Sequence, residues 1–318
     1  MTMVCSCNTD LGDVGVDSKI VREPSFHTKS NLIWPSLPVK GSTLLGRLWL
    51  LLPSGIRLFC YKTLFRIGET IWPFNPVEGG AFTQKLPFGL WCKFGGRINK
   101  DEVLATMFVA ANTTIPVPRI LDTVDDDDGS LFVLMSQVPG TQASKVFEDL
   151  DENGRSLFEL DLRDWLYQLR SIVPPSSAVG SFTGGPTLQF RYKIDPIGPF
   201  ENIEAFHRYF LDMYPQDAEH DLWQAYLRTA RAKVYRRRHE VCFTHGDLRL
   251  HNLQMKDGRL SGMLDFGSSG WLPEYWEYGT ATYRGPKPWI EILGRIFAQY
   301  SDEREVNTML MGLNPDVY

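Results

Sequence analysis

The sequence predicts an α+β chain of two lobes, a small strand-rich N-lobe over residues 44–138 and a larger helical C-lobe over 139–318, with residues 1–43 as a loose lead-in. Three observations carry this. Short apolar runs of strand length, separated by Gly, Pro or Asp, fill the stretch from Ala81 to Met135. From Lys145 onward a helical period takes over: Leu157, Leu160, Leu162, Trp165, Leu166, Leu169 and Ile172 recur at spacings that stack on one face. Between the two, Ser136-Gln137-Val138-Pro139-Gly140 breaks both patterns and reads as a hinge.

The elements follow in order. Leu44 to Tyr61 is apolar but interrupted by Arg47, Pro53, Ser54 and Arg57. It therefore lacks the roughly 18–20 uninterrupted apolar residues of a membrane span and reads as one or two amphipathic helices on the small lobe. Peripheral membrane contact through Trp49, Leu50, Leu51 and Leu52 is the less favoured alternative. Residues 62–76 read as a helix end and a loop. A hairpin comes next, with strands Ala81–Leu86 and Leu90–Phe94 around a Pro87-Phe88-Gly89 turn. Val103, Met107 and Ala110 form the buried stripe of a helix that Ile115-Pro116-Val117-Pro118 stops. Strands Arg119–Val124 and Ser130–Met135 flank the acidic turn Asp125 to Gly129, a solvated hairpin tip and not a metal site. Residues 173–199 form a Pro/Gly/Ser-rich insertion of a length that is usually functional or disordered, and helices resume over Phe206–Met213 and Trp223–Arg238. The cations from Arg228 to Arg238 read as a solvated face.

Composition narrows the class. With 318 residues, 43% hydrophobic and 22% charged, the chain has material for a sizeable core. A net charge of -5 and a pI near 5.7 argue against a nucleic-acid or anionic-membrane surface. Five cysteines, an odd number, fit free thiols in a reducing compartment better than a disulfide framework, and with no apolar leader in residues 1–30 the expected localisation is cytoplasmic. Cys5-x-Cys7 lacks the second pair that a metal site needs.

The chemistry lies in His245-Gly246-Asp247-Leu248-Arg249-Leu250-His251-Asn252 and, a short interval later, Asp265-Phe266-Gly267. Each follows an apolar segment, Val241 to Phe243 and Leu260 to Leu264, so two strands are expected to deliver polar groups to one edge of a sheet. Phosphoryl transfer from ATP needs a carboxylate to orient the attacking hydroxyl and oxygen ligands for magnesium. Asp247 suits the first role, and Asn252 and Asp265 the second, at the order and spacing of the kinase loop and the D-F-G element. Lys93, inside an apolar strand, would reach the phosphates and pair with Glu102, Asp101 being the other choice. Gly79-Gly80 stands where a phosphate-covering loop belongs, or is an ordinary turn, and the backbone near Gln137 and Val138 would face the adenine. Glu274, Trp276 and Glu277 would either enclose a cationic amine or serve as helix-start and core residues.

These motifs resemble the aminoglycoside phosphotransferase and choline kinase-like superfamily, in which H-G-D replaces the protein kinases' H-R-D; the similarity runs over about residues 44–300 and is closest to the fungal branch. It rests on Leu86-Pro87-Phe88-Gly89 leading to Lys93, Ile115-Pro116-Val117-Pro118, the hinge, the H-G-D loop, and Gly270-Trp271-Leu272-Pro273-Glu274-Tyr275-Trp276-Glu277. The resemblance implies a bilobal protein-kinase-like fold and ATP- and Mg2+-dependent phosphorylation of a hydroxyl on a small molecule: an amino-alcohol, an aminoglycoside-like compound or a natural-product metabolite, with a role in secondary metabolism. Arg249-Leu250-His251 departs from the family's usual residues there. A non-catalytic kinase-like binding protein is the alternative. The missing A-P-E element counts against a protein kinase.

Overall fold

The computed structural model describes residues 32–39, 41, 43–73, 82–95, 98–193, 195–213 and 221–313; Gly79 and Gly80 lie outside them. Helix α1 (Leu44–Leu50) begins where the Thr43 hydroxyl accepts the Gly46 N–H, and Pro53 sets off α2 (Ser54–Ile71). No single helix among the described residues is long and apolar enough to cross a membrane, and α1 and α2 meet the length and composition only as a pair bent by 113°. Tyr61 anchors α2: its ring stacks on Phe132 at 5.6 Å and its hydroxyl donates to Asp122 at 2.6 Å, beside the Arg57–Asp122 ion pair.

The small lobe is an antiparallel sheet in the order β1-β2-β4-β3, made of β1 (Phe82–Leu86), β2 (Leu90–Gly95), β3 (Ile120–Asp125) and β4 (Leu131–Ser136). The turn between β1 and β2 puts Phe88 and Gly89 at φ of 65° and 68°. Helix α3 (Lys100–Asn112) connects β2 to β3. Its buried residues are Val103, Ala105, Thr106, Phe108 and Val109, not the predicted stripe of Val103, Met107 and Ala110. The helix is wedged between two cores: Val103 packs on the sheet side, and Ala105, Phe108 and Val109 belong to the large core of the second lobe. A helix buried on two sides shows no single stripe.

The second lobe contains β5 (Thr141–Gln142), α4 (Glu152–Arg170), β6 (Gly180–Ser181), α5 (Ile203–Leu211), α6 (Asp221–Thr229), β7 (Val241–Thr244), β8 (Leu253–Lys256), β9 (Arg259–Met263), β10 (Gly270–Pro273), α7 (Trp276–Thr282), α8 (Lys287–Ile296) and α9 (Ser301–Gly312). In α4 the buried face runs through Phe158, Leu162, Trp165, Leu166 and Leu169, while the predicted core residue Leu160 is exposed. The helix predicted over Trp223–Arg238 leaves α-helical geometry at Thr229 and turns through a π segment, Ala230–Val234.

The strands before the two motifs do not share a sheet, contrary to expectation. β7 joins β6-β10-β7, and β9 joins β5-β8-β9. The reason is local: Asp257-Gly258, both at positive φ, turn β8 back onto β9 as a hairpin, so β7 must find its partner in β10. The 173–199 insertion is pinned by bridges from Val179 to Phe200 and from Thr187 to Ile197, and by Tyr192, which is buried and stacks on Trp276 at 4.5 Å.

Candidate active site

One wall of the site is built from charge. Lys93 sits mid-strand in β2, between β1 and β4, which holds its stem rigid. Its ammonium lies 2.7 Å from Glu102 and 3.0 Å from Asp265. Glu102 occupies the first turn of α3, where the Asn99 side chain accepts its N–H at 2.9 Å. Asp101, the other candidate partner for Lys93, instead accepts from the Thr183 hydroxyl at 2.6 Å. Burial opposes the charge on Lys93, but the Glu102 and Asp265 carboxylates outweigh it and hold the ammonium above its ordinary value. For Asp265, burial works against ionisation and Lys93 overcomes it, so the carboxyl lies below its usual range. The Asp265 side chain is 43% exposed against 12% for Lys93, so solvent screens this contact more than the one to Glu102.

The facing wall is built from backbone. After β7 the chain turns at Gly246, whose φ of 78° and a 2.1 Å approach of any Cβ to the Ser268 carbonyl leave no room for a side chain. The buried Glu277 carboxylate accepts the N–H groups of His245 at 2.7 Å and Gly246 at 3.2 Å. Burial holds that carboxyl above its usual range, against the opposing pull of His245 and of the two N–H donors. His245 donates from Nε2 to the Leu264 carbonyl at 2.8 Å and accepts the Asp247 N–H at Nδ1 at 3.2 Å, which fixes its tautomer from its partners. The Asn252 amide donates to the Asp247 carbonyl at 2.8 Å and to Asp247 Oδ2 at 3.2 Å, and the Leu264 N–H closes onto the Asn252 carbonyl at 2.8 Å. The stretches around Asp247 and Asp265 are thereby tied together.

A cleft of about 620 Å³ joins the walls, lined by Lys93, Glu102, Asn252 and Asp265 together with Gln137 and Val138. The Gln137 N–H is committed to the Gly89 carbonyl at 2.9 Å, and Val138 packs over Gly262, where a Cβ would come within 2.1 Å of it. Both Asn252 side-chain contacts use its NH2, so its Oδ1 remains for a cation. With the Asp265 carboxylate it makes a hard oxygen pair that suits Mg2+ with nucleotide phosphates completing the shell. Among the described residues no group of three His, Cys, Asp or Glu side chains could hold a metal without such help.

Of the two readings of Glu274, Trp276 and Glu277, packing fits helix-start and core residues and not an amine enclosure. Glu277 lies beneath the H-G-D turn. Trp276 is buried, its indole N–H donating to Gln189 at 2.8 Å. Glu274 is engaged by the Tyr300 hydroxyl at 2.9 Å and His239 at 3.4 Å. Sequence reasoning missed Arg191, whose guanidinium is ion-paired to Asp247, and gave no role to Arg249, which donates to the Tyr283 carbonyl at 2.6 Å. Arg249 stood in view two residues after Asp247, whereas Arg191 carried no signal within its insertion.

The sequence profile of the phosphotransferase enzyme family (APH) matches residues 99–308. The chain belongs to this family. Among solved structures this phosphotransferase is similar to aminoglycoside phosphotransferase APH(4)-Ia, with a TM-score of 0.55 and 15% identity, over 81% of this chain and 90% of that one. It is equally similar to a thermostable mutant of that protein in ternary complex with ADP and hygromycin B, at TM-score 0.55 and 14% identity over 79% and 89% of the two chains. The GDP complex of aminoglycoside 2'-phosphotransferase-IIIa matches at TM-score 0.53 and 13% identity over 80% and 87%. Likeness at this identity establishes the fold, which is bilobal and protein-kinase-like. No curated protein sequence matches the chain.

Proposed function

We propose that this phosphotransferase moves the γ-phosphoryl group of ATP to a hydroxyl of a small molecule. The observation that carries the reading is the convergence of Lys93, Glu102, Asn252 and Asp265 on one cleft, with Asp247 tied to Asn252 through the Asn252 amide. Lys93, held by Glu102, would bind phosphate oxygens, and Val138 at the hinge would face the purine. Asn252 and Asp265 would hold Mg2+, whose charge neutralises the phosphates. Asp247 aligns the acceptor hydroxyl and takes its proton, and the loop bonds to Glu277 and His245 keep that carboxylate in place. The relatives' complexes with ADP and with GDP leave the purine open; ATP is our assignment. Membership of the fungal branch, a cytoplasmic location and a role in secondary metabolism rest on sequence reasoning.

Asp247→Asn tests the mechanism. It should lower turnover by at least about a hundredfold, the low end for a general base, and leave the rise in melting temperature with Mg-ATP intact. A variant with near-normal rates would remove Asp247 from catalysis. A wild-type chain that shows no thermal shift at millimolar Mg-ATP would favour the non-catalytic binding protein.

A further inference from the structure

The acceptor side of Asp247 carries positive charge. Arg191 is ion-paired with Asp247 Oδ1, and the two side chains are only 19% and 25% exposed. Its position is preset. Gln189, buried, ties to Trp276 and to the Ser268 carbonyl, Tyr192 is buried against Trp276, and the Tyr192 N–H closes on the Gln189 carbonyl at 2.8 Å. Arg249 rises from the same loop as Asp247. Its observed partner is a neutral carbonyl, and among the described residues it has no ion pair with a carboxylate. Burial and then the charge of Arg191 depress the Arg249 guanidinium to about 10, still protonated at neutral pH, which places the two cations within each other's field.

The carboxylates that would have attracted an amine are committed elsewhere, Glu277 to backbone N–H groups and Glu274 to Tyr300 and His239. A cationic acceptor approaching Asp247 would meet two guanidinium groups. An anion would meet a guanidinium already paired with a carboxylate oxygen and able to hold an anion's oxygens with its planar donors.

We propose that the acceptor is an anionic alcohol, a carboxylate or phosphate bearing a nearby hydroxyl, whose negative group draws Arg191 from Asp247 and is held by Arg191 with Arg249. Arg191 touches the carboxylate that receives the proton, so hydroxyl and anion must lie close together on the acceptor. On transfer the acceptor oxygen bonds to the γ-phosphorus, the bond from that phosphorus to the bridging oxygen breaks, ADP leaves with the electron pair, and the hydroxyl proton passes to Asp247. Arg191 is the specificity residue. The inference deepens the phosphotransferase reading and rests on it.

The test is calorimetric titration of the full chain, with and without Mg-ADP, using four anionic probes (lactate, glycerate, tartrate and glycerol 3-phosphate) and three cationic ones (ethanolamine, choline and kanamycin). Saturable binding of at least one anion is expected. Arg191→Gln should weaken it at least about tenfold, Arg191→Lys less, as for loss of a forked charge-assisted contact, with Mg-ADP affinity unchanged. The carboxylate and phosphate arms identify which anion is read. Binding confined to the cations, binding of neither set, anion binding indifferent to Arg191→Gln, or a loss of Mg-ADP affinity in its place would each overturn the assignment. Failure of the wild type to bind Mg-ADP removes the kinase reading instead, and the titration without nucleotide still tests the anion pocket.

Discussion

The two walls of the cleft are held by different physics. Lys93 meets the Glu102 and Asp265 carboxyl groups in the cleft, and the Asp265 side chain is 43% exposed. Asp247 and Asn252 ride on a turn whose backbone is bonded to buried groups, the Glu277 carboxylate and the His245 ring. The Lys93–Asp265 contact, open to solvent on the Asp265 side, can be remade when a triphosphate arrives. Buried backbone bonds cannot be broken without leaving an unpaired donor. The Lys93 wall is therefore adaptable at Asp265, and the Asp247 wall is fixed by the fold.

Glu277→Ala strikes at that contrast hardest. It leaves the His245 and Gly246 N–H groups without their acceptor in the interior, at about 1–3 kcal/mol for each unmade bond. Stability should fall by about 3 kcal/mol, read from denaturant midpoints, and turnover should fall with it because Asp247 loses its support. Glu277→Gln, which keeps one acceptor oxygen, should cost less. A loss below about 1 kcal/mol in the alanine variant, smaller than a single buried unpaired donor, would mean that the turn holds itself.

The same division separates what was readable in the sequence from what was not. Lys93 stands out as a charge inside an apolar strand, and Asp247, Asn252 and Asp265 stand at a spacing set by the chemistry of phosphates. Local geometry fixes such patterns, so a linear reading finds them. Arg191 reaches Asp247 from 56 positions away and Glu277 reaches His245 from 32. Nothing in either neighbourhood specifies that contact, because it arises from how the insertion and α7 pack in three dimensions. The sheet partition was half readable: Asp257-Gly258 is a hairpin signal, but the choice of β10 as the partner of β7 is a long-range matter. The hairpin at Pro87-Phe88-Gly89 was fully local and its strands appear within a residue or so of their predicted ends.

Acid should weaken the Asp247 wall through a group that sequence gave no reason to notice. His207 is buried behind the segment that carries Glu277, bonded to the Tyr275 hydroxyl at 2.7 Å and stacked on Tyr235 at 3.9 Å. Burial, with His239 nearby, pushes its imidazole down to about 3 from an ordinary value of 6.5. Between those values the unfolded chain binds the proton and the folded chain does not. Stability is therefore full above pH 6.5 and falls as pH drops toward 3, by about 1.4 kcal/mol for each step of one in pH. At pH 5 the loss is about 2 kcal/mol, from the same slope. Urea midpoints at about pH 7 and pH 5 measure it, and His207→Phe should flatten the difference. An unchanged slope in that variant would assign the acid sensitivity to other groups.

Lys93→Met should do the reverse, disabling the Lys93 wall while sparing the fold. Removing the ammonium leaves Glu102 beside Asp265, a repulsion that would be severe if both stayed ionised in a dry interior. Here two features soften it. Burial and the Asp265 charge already favour the protonated form of Glu102, and Asp265 is open enough for water to screen its charge. Proton uptake by Glu102 relieves what remains of the repulsion, so the loss of stability should be well under that of Glu277→Ala. The rise in melting temperature with Mg-ATP should shrink or vanish, since no other cation among the described cleft residues has Lys93's rigid mid-strand placement beside Asp265. Scanning both variants side by side in the absence and presence of Mg-ATP decides the matter. If Lys93→Met unfolds the chain as much as Glu277→Ala does, the charged wall is as structural as the other and the asymmetry between them disappears.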